Sequence, residues 1–405
     1  MGLKLVISML LILMAISSTS SSRSRELLRG GVFDVTSGKY GAKPNSDITQ
    51  AIANAWKDAC ASTMPSKVIV PKGIYKLKEA NFNGPCKAPI ELQVFGTLQA
   101  PPDGAQLSKP DTWIMFSYLD RFTLSGTGIF DGQGQQAWKA NDCHKNPKCS
   151  SIAINMRFHS VKNSLVRDIT SLNSKNFHVN VLGCERLTFQ HFTVTAPGTS
   201  VNTDGIHIGR STGINITDSN ISTGDDCISI GDGTKQLTIT KLTCGPGHGI
   251  SIGSLGRYPK EEPVTGIYIK RCTLSNTMNG IRIKTWPNSP AASIASDIHF
   301  EDIIMNNVGN PILIDQEYCP WNLCNKQVAS KVKISNVSFR NIRGTSSTPL
   351  ALKILCAKGL PCDKVEMTDI NLKYNGKQGS LTSQCSNVRP TITRVPNPLA
   401  CATKS

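Results

Sequence analysis

The sequence predicts an all-β solenoid, a single-stranded parallel β-helix with a short capping helix at its N-terminal end. Two observations carry this expectation. An apolar pattern at positions i, i+2, i+5 and i+7 recurs from about residue 160 onward, and a separate β-branched triplet lies between its copies.

The copies are Leu187-Phe189-Phe192-Val194, Ile214-Ile216-Ser219-Ile221, Leu237-Ile239-Leu242-Cys244, Ile267-Ile269-Cys272-Leu274, Ile298-Phe300-Ile303-Met305, Val332-Ile334-Val337-Phe339 and Val365-Met367-Ile370-Leu372. Alternation at i and i+2 is the signature of a strand, and the step to i+5 and i+7 implies a bend followed by a second strand. The third strand of each repeat is the triplet: Val179-Asn180-Val181, Ile206-His207-Ile208, Ile228-Ser229-Ile230, Ile250-Ser251-Ile252, Ile281-Arg282-Ile283 and Ile312-Leu313-Ile314. Such coils stack at about 4.8 Å, with aliphatic columns inside and polar residues outside. A solenoid has open ends. Residues 48–60, with Ser46 as N-cap, read as an amphipathic helix over the first coil, and the Pro-rich tail from Arg389 to Cys401 reads as a cover for the last.

Residues 1–22 read as a secretory leader: Lys4 is followed by the apolar run Leu5 to Ile16 and the small residues Ser17 to Ser22. That run is too short to span a bilayer, and no later stretch reaches about 18 apolar residues. The expectation is a secreted protein with no membrane segment, in which residues 23–405 form one domain. Fourteen cysteines fit an oxidising compartment. Local staples are expected at Cys143 with Cys149, Cys319 with Cys324, and Cys356 with Cys362. A metal site at Cys143-His144 to Cys149 lacks a second half and is set aside. Asn215, Asn220 and Asn336 begin glycosylation sequons.

The formal charge is +16, one less without Lys4, which favours a polyanionic partner. Export, disulfides and the lack of a basic helix or aromatic RNP-type strand select an acidic polysaccharide over nucleic acid. A monomer is the default expectation.

Register places the chemistry. Asp204 lies two residues before Ile206, Asp226 two before Ile228 and His248 two before Ile250, so stacked coils put them in one column with Asp225 beside it. Strict alternation would aim that column inward. Glycines 205, 224, 247 and 249 are expected to free the backbone to turn it out. Arg282 and Lys284, alternating with Ile281 and Ile283, are expected to point outward from the next coil. Clustered carboxylates raise one pKa so that an acid and a base coexist, as glycoside hydrolysis requires. Two cations beside them suit a uronic acid. The bland alternatives for these residues are a solvated turn, a calcium site and a structural histidine.

Four motifs stand in order: Asn202-Thr203-Asp204, Gly224-Asp225-Asp226, Gly247-His248-Gly249 and Arg282-Ile283-Lys284. Together they resemble the polygalacturonases, glycoside hydrolase family 28, along nearly the whole chain after the leader. The resemblance implies a right-handed β-helix that hydrolyses α-1,4-linked galacturonan with inversion and without metal or other cofactor. It implies Asp225 as general acid, Asp204 and Asp226 as the residues that activate and position water, and His248 as the residue that tunes the site. It assigns substrate contacts to Asn202, Arg282, Lys284 and Tyr318, and a disulfide to Cys227 and Cys244. Likeness to the plant pollen branch, some of whose members are allergens, implies exo action; endo action is the alternative. The rivals are a calcium-dependent pectate lyase, which lacks this motif series, and a catalytically silent wall-binding protein. The second gains nothing from three crowded negative charges.

Overall fold

In a computed structural model the described residues are 31–107, 111–142, 152–377, 379–396 and 399–401. They form the stacked coils of a right-handed parallel β-helix. The proposed leader and the Cys143–Cys149 segment lie outside the described residues.

Most coils place two strands, and the later ones a single long bent strand, in a 21-stranded parallel sheet and one strand in an 11-stranded parallel sheet. Strands Glu185–Gln190 and Thr193–Thr195 are such a pair, joined at His191 with φ 49°. The same left-handed single-residue bend recurs at Asp218, Lys241, Arg271, Asp302, Asn341 and Asp369. One residue at φ > 0 reverses the alternation once, which is why the apolar positions step from i+2 to i+5.

The pattern was misaligned in one copy. Val332 pairs with Ser293, whereas Ile298 pairs with Val337 and Val337 with Val365, so the sixth repeat begins at Val337. The strand Val332–Ser346 carries an additional bend at Asn336, φ 52°, which gives it two overlapping matches to the same spacing. The coils also begin well before residue 160, with strands from Gly31–Asp34 onward. Their bends are longer by one residue: Leu92 and Leu98 stack below Phe189 and Val194 but are six positions apart rather than five, which displaces the apolar positions.

Stacked isoleucines 206, 228, 250, 281 and 312 are in register and fully buried. A Phe82, Phe116, Phe158 stack fills the N-terminal coils, with centroids 5.1 and 4.8 Å apart. Helix Thr49–Cys60 covers the first coil, burying Ala51, Ile52, Ala55, Trp56 and Ala59, and Cys60 is bonded to Cys86. Ser46 does not cap it. Its hydroxyl donates to Lys43 O, and Asp47 Oδ1 accepts from Thr49 N at 2.9 Å instead, because the shorter reach to the first helical N–H falls to the residue nearer the helix. At the other end the tail adds a further rung, strand Thr391–Thr393 on Glu366–Thr368, before Leu399 enters the core and Cys401 bonds Cys385.

His178 is fully buried one coil before Asp204, with Nδ1 2.8 Å from Ser171 Oγ. Burial lowers its pKa to about 3, so the folded ring stays neutral where an unfolded one, near 6.5, takes a proton. The sign follows: between about pH 3 and 6.5 the unfolded state binds more protons, and stability falls as pH falls. This histidine adds about 1.4 kcal/mol per pH unit to that slope. Urea unfolding of His178→Asn between pH 6 and 4 should show a slope shallower by that amount, whatever its absolute stability. An unaltered slope would rule out the assignment.

Candidate active site

Asp204, Asp225 and Asp226, and His248 each immediately precede a strand of the 11-stranded sheet: Ile206–Gly209, Ile228–Ile230 and Ile250–Leu255. The backbone turns that free them are of two kinds. Gly247 and Gly249 adopt φ of 150° and 92°, as expected. Gly205 and Gly224 do not adopt left-handed φ; they are needed for space, since a Cβ on Gly224 would lie 1.9 Å from Ser200 O.

The result is a cleft of about 610 Å³ lined by Asn202, Asp204, Asp225, Asp226, His248, Lys284 and Tyr318. Arg282 does not line it. It lies behind Asp226 with its Nη2 2.9 Å from Oδ1, while Lys284 Nζ is 2.9 Å from Oδ2. The expectation of two free outward cations is thus corrected. Both are largely buried, because a carboxylate with 2 % side-chain exposure requires compensation where it sits. Ser251 Oγ also donates to Asp226 Oδ1 at 2.7 Å, and Arg282 Nε donates to Ser251 Oγ.

These contacts divide the carboxylates. Burial works to raise Asp226, but the charges of Lys284 and Arg282 and the hydrogen bonds from Lys284 and Ser251 outweigh it and hold the group at about 2. Asp226 is a fixed anion. Asp204 goes the other way: burial, then the neighbouring Asp225 and Asp226, push it well above the usual carboxylate range against a Ser229 hydrogen bond. Asp225 is the most open of the three aspartates, its side chain 24 % exposed while Asp204 and Asp226 are buried. Its Oδ1 accepts from the Asp226 N–H at 2.7 Å and meets His248 Nδ1 at 2.9 Å, while Oδ2 has no hydrogen-bond partner among the described residues.

Asp225, Asp226 and His248 bring ligand atoms within 4.8 Å of one another, the one such group among the described residues. A dication would have to compete with Arg282 and Lys284 for Asp226, so the donor set fits a metal poorly.

Asn202 Nδ2 donates to Asn176 Oδ1 at 2.5 Å, and the Tyr318 ring lies 5.3 Å from Lys284 Nζ. Cys227 and Cys244 are bonded, as are Cys319 with Cys324 and Cys356 with Cys362. Sequence reasoning missed His207, Arg257, Trp286 and Trp321, which also line the cleft. His207 was legible as the outward residue between Ile206 and Ile208; burial, then Lys284, lower its ring pKa to about 4. The other three stand beyond the strand triplets, where no periodicity marks them.

The Glycosyl hydrolases family 28 profile matches residues 60–401. The chain belongs to this family. It is therefore a glycoside hydrolase, and its relatives include an exopolygalacturonase of Platanus acerifolia, 56% identical over 90% of this chain and 96% of that one. An exopolygalacturonase of Oenothera organensis is 55% identical over 88% and 98%. Among solved structures, the endo-xylogalacturonan hydrolase from Aspergillus tubingensis superposes with TM-score 0.76 at 23% identity, covering 91% of this chain and 97% of that one, a likeness of fold.

Proposed function

We propose that this family 28 chain is a secreted polygalacturonase that cleaves α-1,4-galacturonosyl bonds of pectate from a chain end. The observation that carries the reading is Asp204, Asp225 and Asp226 meeting in one cleft beside His248 and Lys284. With Asp226 fixed as an anion, the burial and crowding that raise Asp204 keep one proton in the site. In the reactive arrangement Asp225, open to the cleft, gives it to the glycosidic oxygen as the C1–O4 bond breaks. Asp204, ionised, takes a proton from the water that attacks C1, and Asp226 holds that water. His248 orients Asp225 through the Nδ1 contact.

Lys284 and Tyr318 face the substrate carboxylate, Asn202 an adjacent hydroxyl, and Arg282 acts through Asp226. Inversion rests on family membership: Asp225 and Asp226 come closer than the roughly 6.5–9.5 Å common in inverting enzymes. NMR of the first anomer formed decides it. Asn215, Asn220 and Asn336 are exposed on the 21-stranded sheet, away from the cleft, which supports glycosylation there.

Exo action is supported by the two named exopolygalacturonases. On polygalacturonate, reducing ends should rise while viscosity falls slowly and monomer accumulates, with chelator having no effect. An early viscosity collapse means endo action, and chelator-sensitive unsaturated products mean a lyase.

A further inference from the structure

One flank of the cleft carries aromatic side chains that the reaction scheme leaves without a role. Trp286 and Trp321 stack at 5.6 Å with 30° between planes. The Arg257 guanidinium carbon lies 5.1 Å from the Trp286 ring centre, 5.3 Å from Trp321 and 5.5 Å from Tyr258.

The arrangement is built from both sides. Glu261 accepts from the N–H groups of Gly256, Arg257 and Tyr258 at 2.5, 2.9 and 2.9 Å, which fixes the loop that presents Arg257. Trp286 N donates to Leu255 O at 2.8 Å, and the Cys319–Cys324 disulfide closes the loop bearing Trp321.

Charge then distinguishes Arg257 from its neighbours. Two Lys or Arg side chains line the cleft, and Lys284 already shares its charge with Asp226 at 2.9 Å. The acids on this flank are engaged as well, Glu261 with backbone and Asp232 with Arg210 at 3.1 Å. Arg257 has no ion-pair partner among the described residues. A guanidinium whose face rests on aromatic rings keeps its N–H edge free, and that edge fits a carboxylate bidentately.

We propose that Arg257, braced by Trp286 and Trp321, binds the carboxylate of a galacturonosyl unit next to the bond being cut. The enzyme thereby requires that unit to be unesterified. This rests on the polygalacturonase reading and adds to it a specificity-determining residue. A methyl ester removes the charge and one acceptor, leaving the guanidinium edge without a matched partner in a partly dehydrated cleft.

The test compares trigalacturonate with its methyl-esterified form. Arg257→Met should raise KM for the unesterified trimer about 10- to 100-fold, the loss of a charge-assisted pair, with kcat changed less than about threefold. Selectivity for the unesterified trimer should fall by the same factor as KM rises. Arg257→Lys should recover part of it, and Trp321→Ala should raise KM while charge is retained. Should Arg257→Met fail to fold, the same selectivity ratio is read from Arg257→Lys and Trp321→Ala. An unchanged ratio in the folded variants overturns the proposal even if KM rises. Failure of the wild-type enzyme to release reducing ends from polygalacturonate is a separate result, and it strikes the underlying reading.

Discussion

Asp225→Asn should lower kcat on polygalacturonate by about 10²- to 10⁴-fold, the range for losing a positioned proton donor. The substitution keeps the side chain's shape and an oxygen to accept from the Asp226 N–H and meet His248. What it removes is the proton for the departing sugar oxygen. Oligogalacturonate binding by calorimetry should therefore change by less than about tenfold, since an amide of the same shape takes the place of the protonated carboxyl. Turnover within a few-fold of wild type would take the general acid away from Asp225.

Asp226→Asn should affect both activity and stability. Arg282 and Lys284 have side chains 11 % and 10 % exposed, and both direct their charge at this carboxylate. Removing one partner of a buried charge network costs about 3–5 kcal/mol, because the remaining charges stay desolvated and uncompensated. Urea unfolding at pH 6 reports that loss. The pH dependence separates it from a packing defect. The folded pKa of Asp226 is depressed to about 2, so its contribution is fully present above the unfolded value near 3.8 and is lost as pH falls through about 2. The stability gap between wild type and variant should therefore narrow between pH 4 and 2. A gap that is constant with pH would mean the charges of Arg282 and Lys284 are compensated by other groups.

Much of this was legible because the solenoid turns sequence spacing into spatial register. Ile206, Ile228 and Ile250 could be aligned on paper, and the residues two places before them meet in space for that reason. Single αL residues such as His191 and Asp218 kept the apolar steps regular from about residue 160 on. Where a bend lengthens, as at Phe95-Gly96, or doubles, as at Asn336 and Asn341, the spacing loses its meaning. The exposure of Arg282 was misjudged for a different cause. Alternation says which way a side chain leaves a strand, but a neighbouring coil can cover it, and Asp226 does so here. Arg257, Trp286 and Trp321 were invisible because their meeting depends on turns from three coils, one of them shaped by Glu261.

The 11-stranded sheet begins at Ala80–Asn83 and ends at Thr382–Ser386, and the four strands that carry the reaction fall near its middle. Because each rung is held chiefly by the rungs above and below, thermal fraying starts at the two tips and travels inward. The catalytic residues are thus insulated by four rungs on one side and three on the other. Nicking or trimming at either tip has to consume those outer layers before turnover suffers.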